Sequence, residues 1–307
     1  MGSNSSITGM SPQETDAMVQ VVDLIGRVAT NDSQARQIML EQQSWRAPLY
    51  LMQSLRCPVS PDLKAASLTS LKSLIGSPES AASLWCSIES DQLLEGMKQE
   101  LTLTESQLEK YPLTESFVQL LAHLFEFPLP LTLGAGSRAK SGLDPFLDYL
   151  LGEVLLKSAI RPYKDQNQKL KLEELVLTTV HALAADYIPN PEFFSADSAI
   201  HPGHHIYRFL MTDSNFLRHL LGQVAQATDH LESFPVKPNE QLLKVSLAAL
   251  KVIRLGLENT DEYLNACRDA PDASLLLTPT HQLLRSINRQ TGRVTGHILI
   301  EYDFFSN

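Results

Sequence analysis

The sequence is short of positive charge. Twenty-five Lys and Arg stand against thirty-five Asp and Glu, a formal net charge of −10. Nucleic-acid binders neutralise phosphates with a basic excess, and its lack excludes that class. Cysteine is scarce as well. Cys57, Cys86 and Cys267 are odd in number, far apart and without a Cys-x-x-Cys. This argues against a disulfide framework or a cysteine zinc site and sets the expectation of a reducing compartment, cytosol or nucleus. No apolar run approaches the ~20 residues that span a bilayer. The opening MGSNSSITGM lacks the charged and apolar regions of a signal peptide, so the sequons at Asn4 and Asn31 read as chance matches. Aromatic residues make up 7% of the chain and β-branched runs are short, which disfavours sheet.

What is present favours helix. Leu, Ala, Gln, Glu and Ser dominate, and 307 residues with 43% hydrophobic content suffice for one large unit or two ordinary domains. The stretch Tyr111–Leu150 is the most legible. Thr114 is the expected N-cap of a helix with Phe117, Leu120, Leu121, Leu124 and Phe125 on one face. Pro128 and Pro130 end it, since proline cannot donate to the preceding turn. Asp144-Pro145 starts the next helix, with Phe146, Leu147, Leu150, Leu151, Val154 and Leu155 inward. Two such helices around a Gly/Pro loop need neighbours on both sides.

The flanking chain supplies them. Ser11-Pro12-Gln13-Glu14 caps a helix to about Ala29, and Asn31-Asp32-Ser33 restarts another. Trp45–Leu55, Asp62–Ile75 and Glu79–Ile88 follow, separated by Pro/Ser/Gly turns. Residues 91–110 carry a weaker pattern. Leu170–Tyr187, His204–Met211, Asn215–Leu231 (capped by Ser214), Glu240–Leu257 and a helix through Arg268 come next. Thr278-Pro279 starts a last one. Glu240–Leu257 is the most apolar, with Leu243, Leu247, Leu250, Ile253 and Leu257 facing one way and Leu242, Val245, Val252 and Leu255 widening the apolar surface, and is expected between layers. Two helices per ~40 residues, without strict self-similarity, is the grammar of an irregular HEAT- or armadillo-like α-solenoid. The expected organisation is a flexible tail over 1–10, one all-α solenoid segment over 11–291 with long loops near 128–143 and 188–203, and a divergent tail over 292–307.

Signals of chemistry are thin. GAGSRAKS (Gly134–Ser141) fits a phosphate loop except that Ala139 replaces the glycine whose backbone turns inward, so a plain loop is the stronger reading. His201, His204 and His205 form the one histidine cluster, but Asp197 is the nearest carboxylate, and Pro202-Gly203 reads as a helix-opening turn. No catalytic, cofactor or metal residue is assigned, and no enzyme activity is expected. Trp85, Phe117, Tyr149 and Phe216 sit at core spacing. Phe193 and Phe194, between prolines, and Tyr207 and Phe209 beside them are the candidate partner contacts, with a loop folded back on the helices as the other reading.

YPLTESFVQLL (Tyr111–Leu121), LGAG (Leu133–Gly136) before GLDPFLDYL (Gly142–Leu150), and SPESAASLWCSIE (Ser77–Glu89) together resemble the large inner-ring scaffold nucleoporins, the nucleoporin 205/192 group. SPQE (Ser11–Glu14), CPVSPDLKAASL (Cys57–Leu68) and LLTPTHQLLRSINRQT (Leu276–Thr291) agree more weakly. The order and spacing of these stretches carry the likeness. It implies an α-solenoid in the inner ring of the nuclear pore complex, at the nuclear envelope. It also implies non-enzymatic binding to linker nucleoporins of the 93 and 35/53 kinds, and a slice of a much longer protein. His204-His205 and the tail His297–Asn307 depart from the family pattern. Exposed solenoid ends imply self-association. A karyopherin-like or other solenoid adaptor is the alternative; it would show regular repeats, which are absent.

Overall fold

A computed structural model describes residues 10–42, 44–130, 133, 142–191, 201–234 and 238–269. All regular structure among them is helical, an all-α fold of the irregular α-solenoid class in which helices pack both on their sequence neighbours and on helices several elements away. The chain divides into two units, Met1–Val176 and Leu177–Asn307.

In the first unit, α1 (Pro12–Asn31), α2 (Ser33–Glu41), α3 (Ala47–Arg56), α4 (Pro61–Leu74) and α5 (Pro78–Ser90) follow the expected turns closely. Ser11 and Glu14 close a capping box on α1. Asp32 caps α2, while Ser60 and Ser77 cap α4 and α5, each with proline in the first turn. These polar oxygens satisfy N–H groups that have no partner inside the helix.

The centre of this unit is α4. It packs against α1, α3 and α8 (Pro112–Leu124). Its small hydroxyl residues make that approach possible. Ser70 Oγ donates to the Val22 carbonyl of α1 at 2.7 Å, Ser54 Oγ of α3 donates to Ser67 Oγ at 2.8 Å, and Thr69 Oγ1 donates to Ser116 Oγ of α8 at 3.4 Å. Across from Ser70 stands Gly26, where an added Cβ would lie 2.9 Å from Ser70 Oγ.

The weak helix over 91–110 resolves into α6 (Leu93–Gln99), a π-helical turn over Glu100–Glu105, and the single turn α7 (Ser106–Leu108). A second π-helical turn, Tyr149–Leu155, follows α9 (Asp144–Asp148) and leads into a 3-10 turn, Leu156–Ala159. Trp85 is fully buried, its ring centroid 5.7 Å from that of Phe125 and 5.1 Å from that of Phe146. Phe117 meets Tyr149 edge-on at 5.6 Å, and both are fully buried. The boundary between the units falls inside α10 (Gln166–Ala185).

The second unit contains α11 (Pro202–Thr212), α12 (Ser214–Ser233), α13 (Glu240–Glu258) and α14 (Thr260–Asp269). Asp213 rather than Ser214 caps α12, accepting from the Asn215 and Phe216 N–H groups. On α13 the buried side is rotated from the expected leucine face. Val245, Ala249, Val252, Ile253 and Gly256 are inside, and Leu247 is 37% exposed. The reason is close packing: Leu210 of α11 lies where a Cβ on Gly256 would stand, so the small residues set the contact face. The expected loops near 128–143 and 188–203 and the helix after Thr278 lie largely or wholly outside the described residues.

Candidate functional site

The sequence-predicted contact residues separate. Phe193 and Phe194 lie outside the described residues, as does the phosphate-loop-like stretch Gly134–Ser141. Tyr207 is 1% exposed. Its hydroxyl donates to the Leu255 carbonyl at 3.0 Å and accepts from Asn259 Nδ2 at 2.6 Å. Its ring stacks 5.9 Å from Tyr263 and lies 5.1 Å from Tyr187. Those contacts make Tyr207 a packing residue, because α11 turns this face inward. Phe209 is half-buried, stacked 6.3 Å from His205 and edge-on to Phe216 at 5.5 Å.

The histidines are used structurally. His201 Nδ1 accepts from the Gly203 N–H and caps α11, and burial pushes its pKa down. His204 Nδ1 lies 2.9 Å from the Tyr187 hydroxyl. Burial raises the phenols of Tyr187 and Tyr263 above their ordinary value. Among the described residues, no three His, Cys, Asp or Glu side chains converge as a metal site would require.

Two arrangements in the first unit were missed by sequence reasoning. One is buried. Tyr111 precedes α8 without capping it, and Thr114 lies inside the helix rather than at its N-cap. The cap comes from Glu105, whose carboxylate accepts from the N–H groups of Leu113 and Thr114 and from the Thr114 hydroxyl. The π-helical turn explains how. Its hydrogen bonds run i to i+5, so Glu100 and Glu105 fall nearly one above the other. In an α-helix they would diverge by about 140°. Glu100 pairs with the buried Lys64 of α4, and Glu105 reaches α8. Burial, reinforced by the Glu100 charge and opposed by the Thr114 and Leu113 hydrogen bonds, lifts the Glu105 carboxyl to about 7. A five-residue carboxylate spacing was the available signal, but helical periodicity does not look for it.

The other is a surface groove of about 490 Å³. Its floor is apolar, built from Leu40 of α2, Leu49 and Met52 of α3, Leu71 and Leu74 of α4, and Leu84 of α5. Leu40 and Leu49 are 39% and 44% exposed, so part of the apolar surface faces solvent. The α5 wall carries Ser80, Ser83 and Ser87, at spacings of three and four, with Glu79 and Asp91 toward the two ends. A Ser77 hydrogen bond lowers the Glu79 carboxyl below its ordinary value, so it is ionised at neutral pH. Asp91 pairs with Arg56 at 2.9 Å. A more polar depression of about 440 Å³, sharing Leu40, Ser77 and Ser80, extends the groove past Glu41. Arg36 lies there across Gly76, leaving no room for a Cβ. The arrangement has apolar anchors and polar walls but no nucleophile–base pair, and it suits the holding of a side-chain row.

Comparison with known proteins gives a family. The sequence model described as "Nuclear pore complex scaffold, nucleoporins 186/192/205" matches residues 1–288. The human nuclear pore complex protein Nup205 is 30% identical over 315 aligned residues, which cover 95% of this chain and 16% of the relative. The Drosophila melanogaster Nup205 is 28% identical over 309, covering 96% of this chain and 15% of the relative. The chain thus spans about one sixth of the length of these relatives. With a match that runs over almost its whole length, this chain belongs to the nucleoporin 186/192/205 family of nuclear pore complex scaffold proteins.

Proposed function

We propose that this chain is a structural segment of the inner-ring scaffold of the nuclear pore complex and works by binding linker nucleoporins of the 93 and 35/53 kinds. It acts at the nuclear envelope, within the pore, and supports transport by holding other proteins in place rather than by catalysis. The observation that carries this reading is the family match over residues 1–288. The physics is compatible. Stacked helix pairs leave long grooves between their outer faces, and such grooves take short helices or peptides. Phe193 and Phe194 remain proposed contacts, with Phe209 contributing what is exposed of its ring. Tyr207 lies on the same helix as Phe209 and is buried.

The test is a pull-down of purified linker-nucleoporin segments on the immobilised chain. Saturable retention of at least one segment of the 93 or 35/53 kind is expected. Retention of none, by a chain shown to be helical and cooperatively folded, would contradict the proposal. Phe193→Ser with Phe194→Ser is expected to weaken retention.

A further inference from the structure

We propose that the groove between α2, α3 and α5 is a docking site for one kind of occupant, an amphipathic helix with a row of apolar anchors and a cationic flank. This deepens the scaffold reading and rests on it, because it names a surface and a ligand chemistry for a chain whose role is to hold other proteins.

Three features point to that occupant. The floor, formed by Leu49, Met52, Leu71 and Leu74, is wide enough at about 490 Å³ to take several aliphatic side chains. An apolar row of that kind is what a helix presents through positions i, i+3, i+4 and i+7. Next, the wall of α5 facing the groove is low. Ser80, Ser83 and Ser87 recur at helical spacing, and short side chains let a second helix lie close alongside, with hydroxyls available to its polar edge. Charge then decides the sign of the flank. Carboxylates mark the rim at Glu41, Glu79 and Asp91, of which Asp91 is already paired with Arg56. Arg36 is spread over Gly76 at the far end. The chain as a whole carries −10. An acidic helix would meet like charge, and a basic one would be drawn in and oriented.

The probe is a fluorescein-labelled model helix of about 18 residues, roughly five turns. Leucines stand at i, i+3, i+4 and i+7, and lysines fill the other positions. Its counterpart has glutamates in place of the lysines. Anisotropy titrations use the full chain. The lysine helix is expected to bind saturably and roughly tenfold or more tighter than the glutamate helix. Ser83→Arg, an exposed site on the wall, closes the groove, and Leu49→Glu places a carboxylate on its floor; each is expected to weaken binding roughly tenfold. Leu24→Glu, on the outer face of α1, serves as the control and leaves it unchanged. Circular dichroism melts of all variants establish that each is folded.

Leu49→Glu separates groove insertion from bulk attraction. If that variant, more acidic than the parent, binds the lysine helix as well or better, the attraction is nonspecific and the proposal is overturned. Equal binding of the two model helices overturns it too. Loss of self-association in Ser83→Arg, with no binding of either helix by the parent, assigns the groove to a second copy and equally overturns it. The scaffold reading is scored apart. A Ser83→Arg chain that still retains linker-nucleoporin segments leaves that reading intact, whatever the model helices do. A parent chain that binds the lysine helix through the groove but retains no linker segment keeps the groove and loses the linkers.

Discussion

Glu105 is the residue on which the interior of the first unit turns. It is completely buried, it caps α8 from outside that helix, and its carboxyl titrates near 7 rather than near 4.5. Between those values the folded chain holds a proton that the unfolded chain has released. Stability therefore falls as pH rises from about 4.5 through 7. The full effect is roughly 3 kcal/mol. Urea midpoints taken at intervals from pH 5 to pH 8 are expected to decline, and Glu105→Gln, which cannot ionise, to flatten the decline. An unchanged slope in that variant would remove Glu105 from the account. Gly26 makes a second residue-scale claim. Its Cα faces Ser70 across the α1–α4 contact with no room for a side chain. Gly26→Val is expected to cost about 1–3 kcal/mol in a denaturant titration, and a neutral result would mean that the two helices part easily.

At the scale of the element, what could be read in advance was what is local. Ser11, Asp32, Ser60 and Ser77 act on N–H groups two or three residues away, so the starts of α1, α2, α4 and α5 were visible in the sequence. The start of α8 was not, because its cap arrives from Glu105 across a π-helical turn and the apparent cap, Thr114, is inside. The buried side of α13 keeps Val245, Val252 and Ile253 of the apolar surface but departs from the leucine stripe for a related reason. Leucine spacing marks an apolar face, but Leu210 packs where α13 is smallest, at Gly256. The groove was hidden because it is a relation among α2, α3, α4 and α5, each of which reads as an ordinary amphipathic helix alone. Two element-scale outcomes follow. Asp213→Ala, which strips α12 of its cap, is expected to cost about 1 kcal/mol. Gln92, left-handed at φ 51° where α6 begins, is strained; Gln92→Gly is expected to raise the melting temperature, corresponding to about 1 kcal/mol.

For the whole molecule, the order and spacing of a few short stretches carried the family resemblance further than any single motif, and the match over residues 1–288 agrees with it. That likeness names a role. It does not locate a surface, since the proposed contacts at Phe193 and Phe194 fall outside the described residues and Tyr207 is interior. The first unit also carries apolar surface beyond the groove. Val21 and Leu24 of α1 are 53% and 60% exposed, turned away from the face that carries Val22, Gly26 and Ala29, and Met18 on that face is still 44% exposed. The chain is expected to self-associate as its concentration rises, read as an increasing sedimentation coefficient, and Val21→Glu with Leu24→Glu to suppress it. A coefficient independent of concentration would mean that this face is tolerated in water.

The most direct test of the scaffold account is cross-linking of the tagged chain in isolated nuclear envelopes, with the linked peptides identified by mass spectrometry. The account predicts links from its lysines to inner-ring linker nucleoporins of the 93 or 35/53 kind. Links only to soluble transport factors, or retention of the chain outside the pore, would contradict it.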